Sequence, residues 1–300
     1  MSIEEQSART AVSPTHLGFL LAINLMWGYN LIAAKQGVES FPPVFFCFLR
    51  FLVLAVVLAP FLRVRKGQMG WLLAAGLMSG GLQFAIMFIG VAMLPSMSAA
   101  AIASQLGVPF ATLLSVLLLG ERVRWRRWLG IALSFAGVVL IGFNPRVLDS
   151  AAGLGFVVLA AFVGSLGLIA IKRIQGVPPL ELQAWFSLIS LPVLLSLSLV
   201  VEHGQWHSIA TASSTGWIAL AYTTVASSLI AHTGFFWLLQ RYPVTSVAPL
   251  TVLAPIFGVA FSVLLLGDRL DWRMVVGGAM TLIGVVIIMS RERALVDTGT

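Results

Sequence analysis

The sequence predicts an all-α integral membrane protein, ten transmembrane helices arranged as two inverted five-helix repeats. Three observations carry that prediction. Of 300 residues, 59% are hydrophobic and only 10% charged, against about 25% charged in ordinary soluble domains. Ten apolar runs follow one another, each close to the ~20 residues a helix needs to cross the hydrocarbon. Finally, "SVLLLGERVRWRRWLGIALSFAGVVLI" (Ser115–Ile141) returns as "SVLLLGDRLDWRMVVGGAMTLIGVVII" (Ser262–Ile288), with 15 of 27 residues identical.

Lipid offers no partner to bare backbone polar groups, so each apolar run folds as a helix. The runs, α1 to α10, are expected near 17–36, 43–62, 69–92, 97–119, 128–144, 153–173, 180–201, 215–240, 244–267 and 273–290. Turn chemistry separates them: "SFPP" after α1, "RVRKGQ" after α2, "LPSM" after α3, "NPRVLDSAAG" after α5, "GVPP" after α6 and "RYP" after α8. No gap is long enough for a soluble domain. The start, "MSIEEQSARTAVSPTH", lacks the basic n-region of a signal peptide and is expected to be a retained tail. The single cysteine, Cys47, permits no intramolecular disulfide.

Charge orients the bundle. A net charge of +7 suits nucleic acid in a soluble protein, but here the basic residues fill short gaps between spans, so the partner is the lipid bilayer and no nucleic acid is expected. With the N-terminus inside, thirteen Lys and Arg fall on cytoplasmic segments and four (Lys35, Arg146, Arg269, Arg273) at outer ends, leaving Arg50 within a span. That asymmetry predicts a multi-pass protein of the bacterial inner membrane with both termini cytoplasmic.

The duplicated junctions join α4 to α5 and α9 to α10. Five helices separate them, an odd number, so the second half enters the membrane upside down. The first junction, "GERVRWRR", carries four arginines against one glutamate. Its twin, "GDRLDWRM", carries two charges of each sign. Packing residues are kept (Gly130/Gly277, Gly137/Gly284, Trp125/Trp272) while charge is rewritten for the opposite side. The front of each half repeats more weakly: "NLIAAKQGVESFPP" (Asn30–Pro43) resembles "GLIAIKRIQGVPP" (Gly167–Pro179), pairing Lys35 with Lys172. The expected division is a cytoplasmic tail over 1–16, a first repeat over 17–145, a second, inverted repeat over 151–290 and a cytoplasmic tail over 291–300.

Two half-bundles related by an axis in the membrane plane can rock about a central site, which is the architecture of a transporter. Several motifs point to a family: Trp27-Gly28-x-Asn30 with Lys35 in α1, "FPP" then "LRF" entering α2, and both "LLLG[ED]R" junctions. Over residues 17–290 this pattern resembles the EamA branch of the drug/metabolite transporter superfamily, and within it the YddG-type amino acid exporters. The resemblance implies export of amino acids and related metabolites through a cavity walled by both halves.

Candidate substrate-binding residues follow from polarity at depth. In α1, Asn24, Trp27 and Asn30 recur at three-residue steps, and carboxamides facing lipid would cost free energy. They serve either a cavity or helix–helix hydrogen bonding. In α8, Thr224, Ser228, His232, Phe236 and Gln240 lie at steps of four, which places them on one face of an α-helix. In α3, Ser79, Gln83 and Met87 share a face, and Gln105 precedes Pro109 in α4. Trp185 and Trp237 are candidates to sandwich an apolar side chain. Lys35 and Lys172 sit at helix ends and can snorkel. Arg50 lies about two turns inside α2, where a charge costs roughly 2.5–3.5 kcal/mol. It either reaches the surface or pairs with carbonyls or a substrate carboxylate.

No carboxylate falls mid-span, no catalytic motif is evident, and His203 and His207 in "HGQWH" lack a third metal ligand. Neither cofactor nor metal is expected. The substrate by elimination is an amino acid with a bulky apolar or aromatic side chain, carried by a monomer that already holds both halves. Alternatives are a multidrug or nucleotide-sugar-like exporter and, from another class, an intramembrane enzyme.

Overall fold

The computed structural model describes residues 13–120, 123–242 and 247–289, apart from the side chains of residues 236, 239, 240, 248 and 249. Residues 1–12 of the tail expected over 1–16, the tail over 291–300, and Glu121 and Arg122 lie outside the described residues, while residues 14–16 of the expected tail belong to α1 instead. Among the described residues the fold is all-helical with short connections and no strands. Among the described residues nine helices are long and apolar enough to span a membrane: α1 Pro14–Ser40, α2 Pro43–Phe61, α3 Met69–Met93, α4 Met97–Leu119, α5 Trp125–Gly142, α6 Ala151–Ile171, α7 Pro179–Val201, α8 Ser214–Phe235, and α10 Trp272–Met289. α9, Leu250–Leu266, is a shorter apolar helix. Two short helices, Pro145–Leu148 and Gln205–Thr211, lie in the connections after α5 and α7.

The helix ends follow local chemistry. Pro14, Pro43 and Pro179 open their helices, where the missing N–H costs nothing. Ser13 caps α1 and Ser96 caps α4 through their hydroxyls. The duplicated "LLLG" ends both α4 and α9 with a left-handed glycine, Gly120 at φ 69° and Gly267 at φ 70°. A side chain at either position would be strained, so the motif keeps glycine twice.

The inversion is visible where α5 crosses α10. A Cβ added at Gly130 would stand 2.7 Å from the Gly284 carbonyl oxygen, and one at Gly277 would stand 2.5 Å from that of Gly137. Between these contacts the Ser134 hydroxyl donates to the Thr281 carbonyl at 3.3 Å and the Thr281 hydroxyl donates to the Ser134 carbonyl at 3.4 Å. Gly130 and Gly277 are repeat twins, as are Gly137 and Gly284, and Ser134 and Thr281. Exchanging each residue for its twin turns the Gly130–Gly284 contact into the Gly277–Gly137 contact, so the helices run antiparallel about a pseudo-two-fold axis. This is close backbone packing of the kind small residues permit in lipid. The same relation pairs α1 with α9 and α6 with α4, while α2 packs on α7.

Among the described residues two helices carry π-helical segments at corresponding places. α3 holds a π-helical segment at Gly76–Leu82, and α8 holds one at Thr223–His232. They begin 147 positions apart, the offset of the duplicated junctions. Segments of this kind occur preferentially at functional sites.

Candidate functional site

A cavity of about 360 Å³ lies at the centre of the bundle, walled by α1, α2, α3 and α4 of the first half and α6, α8 and α9 of the second. Seven residues expected from the sequence line it: Trp27, Asn30, Arg50, Gln83, Met87, Gln105 and His232. Around them stand apolar and small side chains, including Phe84, Phe88 and Ala160.

Arg50 dominates the site. It is 1% exposed and is the one charged residue among the described residues of the lining. Its Nε and Nη2 donate to the Ser228 hydroxyl at 2.9 and 2.5 Å. That hydroxyl donates in turn to the Thr223 carbonyl at 2.8 Å, so Ser228 uses its full hydrogen-bonding capacity. The guanidinium carbon also stands 4.7 Å from the centre of the Phe84 ring. Nη1 has no hydrogen-bond partner. Neither described salt bridge, Arg65–Glu181 nor Arg273–Asp271, involves Arg50. The sequence left it open whether this residue reaches the surface; it does not.

On the facing side, His232 Nδ1 lies 2.6 Å from the Ser227 carbonyl oxygen, and Trp27 packs edge-on against the imidazole with centroids 5.1 Å apart. The π-segment alters the α8 face expected from steps of four. Ser227 and His232, five apart, share the cavity wall. Thr224 turns its hydroxyl to the Leu220 carbonyl, and Ser228 turns towards Arg50. Phe236 and Gln240 have side chains outside the described set.

Three further expected residues stand away from the cavity. Asn24 is fully buried and donates to the Leu20 carbonyl of its own helix at 2.7 Å. Trp185 donates to the Arg63 carbonyl at 3.0 Å, at the end of the bundle where α2 gives way to α3. Trp237 packs edge-on against His16 and Phe19 and lies under Arg241, 3.7 Å from ring centre to guanidinium carbon. Indoles find carbonyls and cations near helix ends as readily as they find substrates. Lys35, expected to snorkel, instead donates to the Val91, Ala92 and Leu94 carbonyls at the end of α3. Lys172 donates to the Ser115 hydroxyl at 3.0 Å.

Sequence reasoning missed the apolar wall and Ser104, Ser227 and Thr251. Only Pro109, just beyond the break in α4 at Ser104–Leu106 that contains Gln105, offered a local signal, and for Ser104 alone.

Comparison with known proteins decides the family. The model of the EamA-like transporter family matches twice, over residues 15–143 and 151–290. The chain belongs to the EamA-like transporter family. Among this EamA protein's relatives, a "Probable amino-acid metabolite efflux pump" of Escherichia coli is 28% identical over 89% of this chain and 92% of its own. A protein of the same description from Salmonella typhimurium is 30% identical over 90% of this chain and 93% of its own. An "Uncharacterized transporter" of Synechocystis is 27% identical over 91% of this chain and 89% of its own. A solved structure sharing 18% of residues superposes with a TM-score of 0.61 over 92% of this chain and 96% of that one, which supports the fold alone. This EamA chain is thus a multi-pass membrane transporter built from a duplicated domain.

Proposed function

We propose that the protein exports amino acids, aromatic and bulky apolar ones foremost, by alternating access through the cavity between its repeats. One observation carries the reading. A buried guanidinium lines that cavity with one nitrogen unpartnered and no carboxylate beside it among the described residues. Burying an uncompensated charge is expensive, and the natural remedy is a partner that arrives with the substrate. A carboxylate accepts from Nη1 in a charge-assisted bond. The Phe84, Phe88 and Met87 side chains offer the remainder of the substrate an apolar wall, and the volume suits a small metabolite.

A lipophilic cation would meet the charge of Arg50 head-on, which sets the multidrug reading second. The relatives described as amino-acid metabolite efflux pumps agree with the choice. The excess of thirteen basic residues over four supports a cytoplasmic N-terminus. One chain carries both repeats and works as a monomer, letting substrate pass down its gradient. Counterflow in proteoliposomes tests this directly. Labelled phenylalanine or leucine should accumulate against the same amino acid trapped inside, without a pH gradient. Counterflow of cationic dyes or sugar nucleotides but of no amino acid would overturn the reading.

A further inference from the structure

We infer that the cavity holds the ammonium group of its substrate with two neutral acceptors, the side-chain oxygen of Asn30 and Nε2 of His232, and so selects zwitterions over plain carboxylates. The inference rests on the amino acid reading and adds the other half of the headgroup to it.

The tautomer of His232 follows from its neighbour. A carbonyl oxygen only accepts, so the 2.6 Å contact with Ser227 puts the proton on Nδ1. The neutral ring then keeps a lone pair on Nε2, and His232 lines the cavity. Trp27 Nε1, 3.3 Å from the same Nδ1, meets an N–H and therefore braces the ring instead of bonding it.

Asn30 contributes a second acceptor from α1. Its Oδ1 is buried with no hydrogen-bond partner, on a residue that lines the same cavity. A buried amide oxygen without a donor is costly, and an ammonium supplies one. The choice of neutral acceptors is itself informative. A carboxylate in this position would pair with Arg50 and quench the anchor for the substrate's own carboxylate. Asn30 and His232 accept without adding charge, so donor and acceptors serve opposite ends of one zwitterion.

L-phenylalanine and 3-phenylpropanoate share ring and carboxylate and differ in the ammonium. Their binding to purified protein in detergent, by competition with labelled phenylalanine, tests the proposal. The unaltered protein should bind phenylalanine at least about tenfold more tightly, the scale of one hydrogen bond to a charged group. Asn30→Leu and His232→Leu should each weaken phenylalanine by about tenfold while leaving 3-phenylpropanoate within about twofold, that unchanged binding also certifying the fold. His232→Gln, which keeps an acceptor, should keep most of the preference. Equal binding of both compounds by the unaltered protein, or parallel losses of both in the Leu variants, overturns the ammonium site and leaves Arg50 as a carboxylate anchor. Binding of neither compound would instead remove the amino acid reading itself.

Discussion

The α5–α10 seam and the central cavity are both built from the duplicated unit, yet they treat its symmetry in opposite ways. At the seam Gly130 meets Gly284, their twins Gly277 and Gly137 meet in the same way, and Ser134 and Thr281 exchange hydrogen bonds. Around the cavity the symmetry is broken. The pairing of Lys35 with Lys172 sets Asn30 opposite Gly167 and, three residues earlier, Trp27 opposite Gly164. Those glycines are filled from α3: a Cβ at Gly164 would lie 2.6 Å from Gln83 Nε2, and one at Gly167 would lie 2.7 Å from the Ser79 backbone nitrogen. One side of the cavity carries large polar groups, and its twin carries the gap that lets α3 approach. Symmetry was retained where it packs helices and discarded where a small asymmetric molecule must be held.

The comparison breaks most violently at the seam. Gly137→Leu or Gly277→Leu drives a side chain into a facing backbone that has no rotamer with which to yield. Overpacking of a core costs about 1–3 kcal/mol where side chains can relax, and here the obstacle is a carbonyl. Both variants should lose most of the monodisperse protein recovered on size exclusion. If either yields normal amounts of stable protein, the seam is not the joint between repeats.

Arg50→Gln should do the reverse. Removing a buried charge that lacks a counter-charge is neutral or stabilising for the fold, so the apparent Tm should stay level or rise. Counterflow should fall by at least about tenfold, the minimum expected when a charge-assisted bond is lost. A fall in Tm with counterflow intact would make Arg50 a structural residue. Ser228→Ala is the milder version: it leaves Nε and Nη2 without their acceptor and lets the guanidinium wander. The KM for counterflow should rise about three- to tenfold, and Ser228→Thr, which keeps the hydroxyl, should restore it.

How much of this the sequence disclosed depended on whether a local rule was sufficient. Apolar runs, turn residues and the offset of 147 disclosed the helices, their inversion and the twin glycines 130/277 and 137/284, because each rests on a nearby physical requirement. The cavity was legible where polar atoms sit at depth, as at Asn30, Arg50 and Gln83. It was not legible where helix geometry changed. The step of four along α8 presupposes 3.6 residues per turn, and the π-segment replaces it with contacts at five. The apolar wall was hidden for another reason: Phe84 and Ala160 read like any other span residue until their neighbours are known.

Trp185 marks the far edge of the comparison. As a bulky aromatic in a span it was a reasonable candidate for substrate contact, but its indole N–H is committed to the Arg63 carbonyl beyond the end of α2. Beside it the Arg65–Glu181 pair joins the same two elements, with Nε and Nη2 each 2.6 Å from a carboxylate oxygen. A half-exposed hydrogen bond reinforced by a neighbouring ion pair contributes about 0.5–1.5 kcal/mol. Trp185→Phe should therefore lower the apparent Tm by a few degrees at most and leave the KM for counterflow within about twofold, since an aromatic ring remains in place. A larger change in KM than in Tm would mean that this end of the bundle senses the substrate, and would extend the asymmetric region from the cavity to the α2–α3 connection.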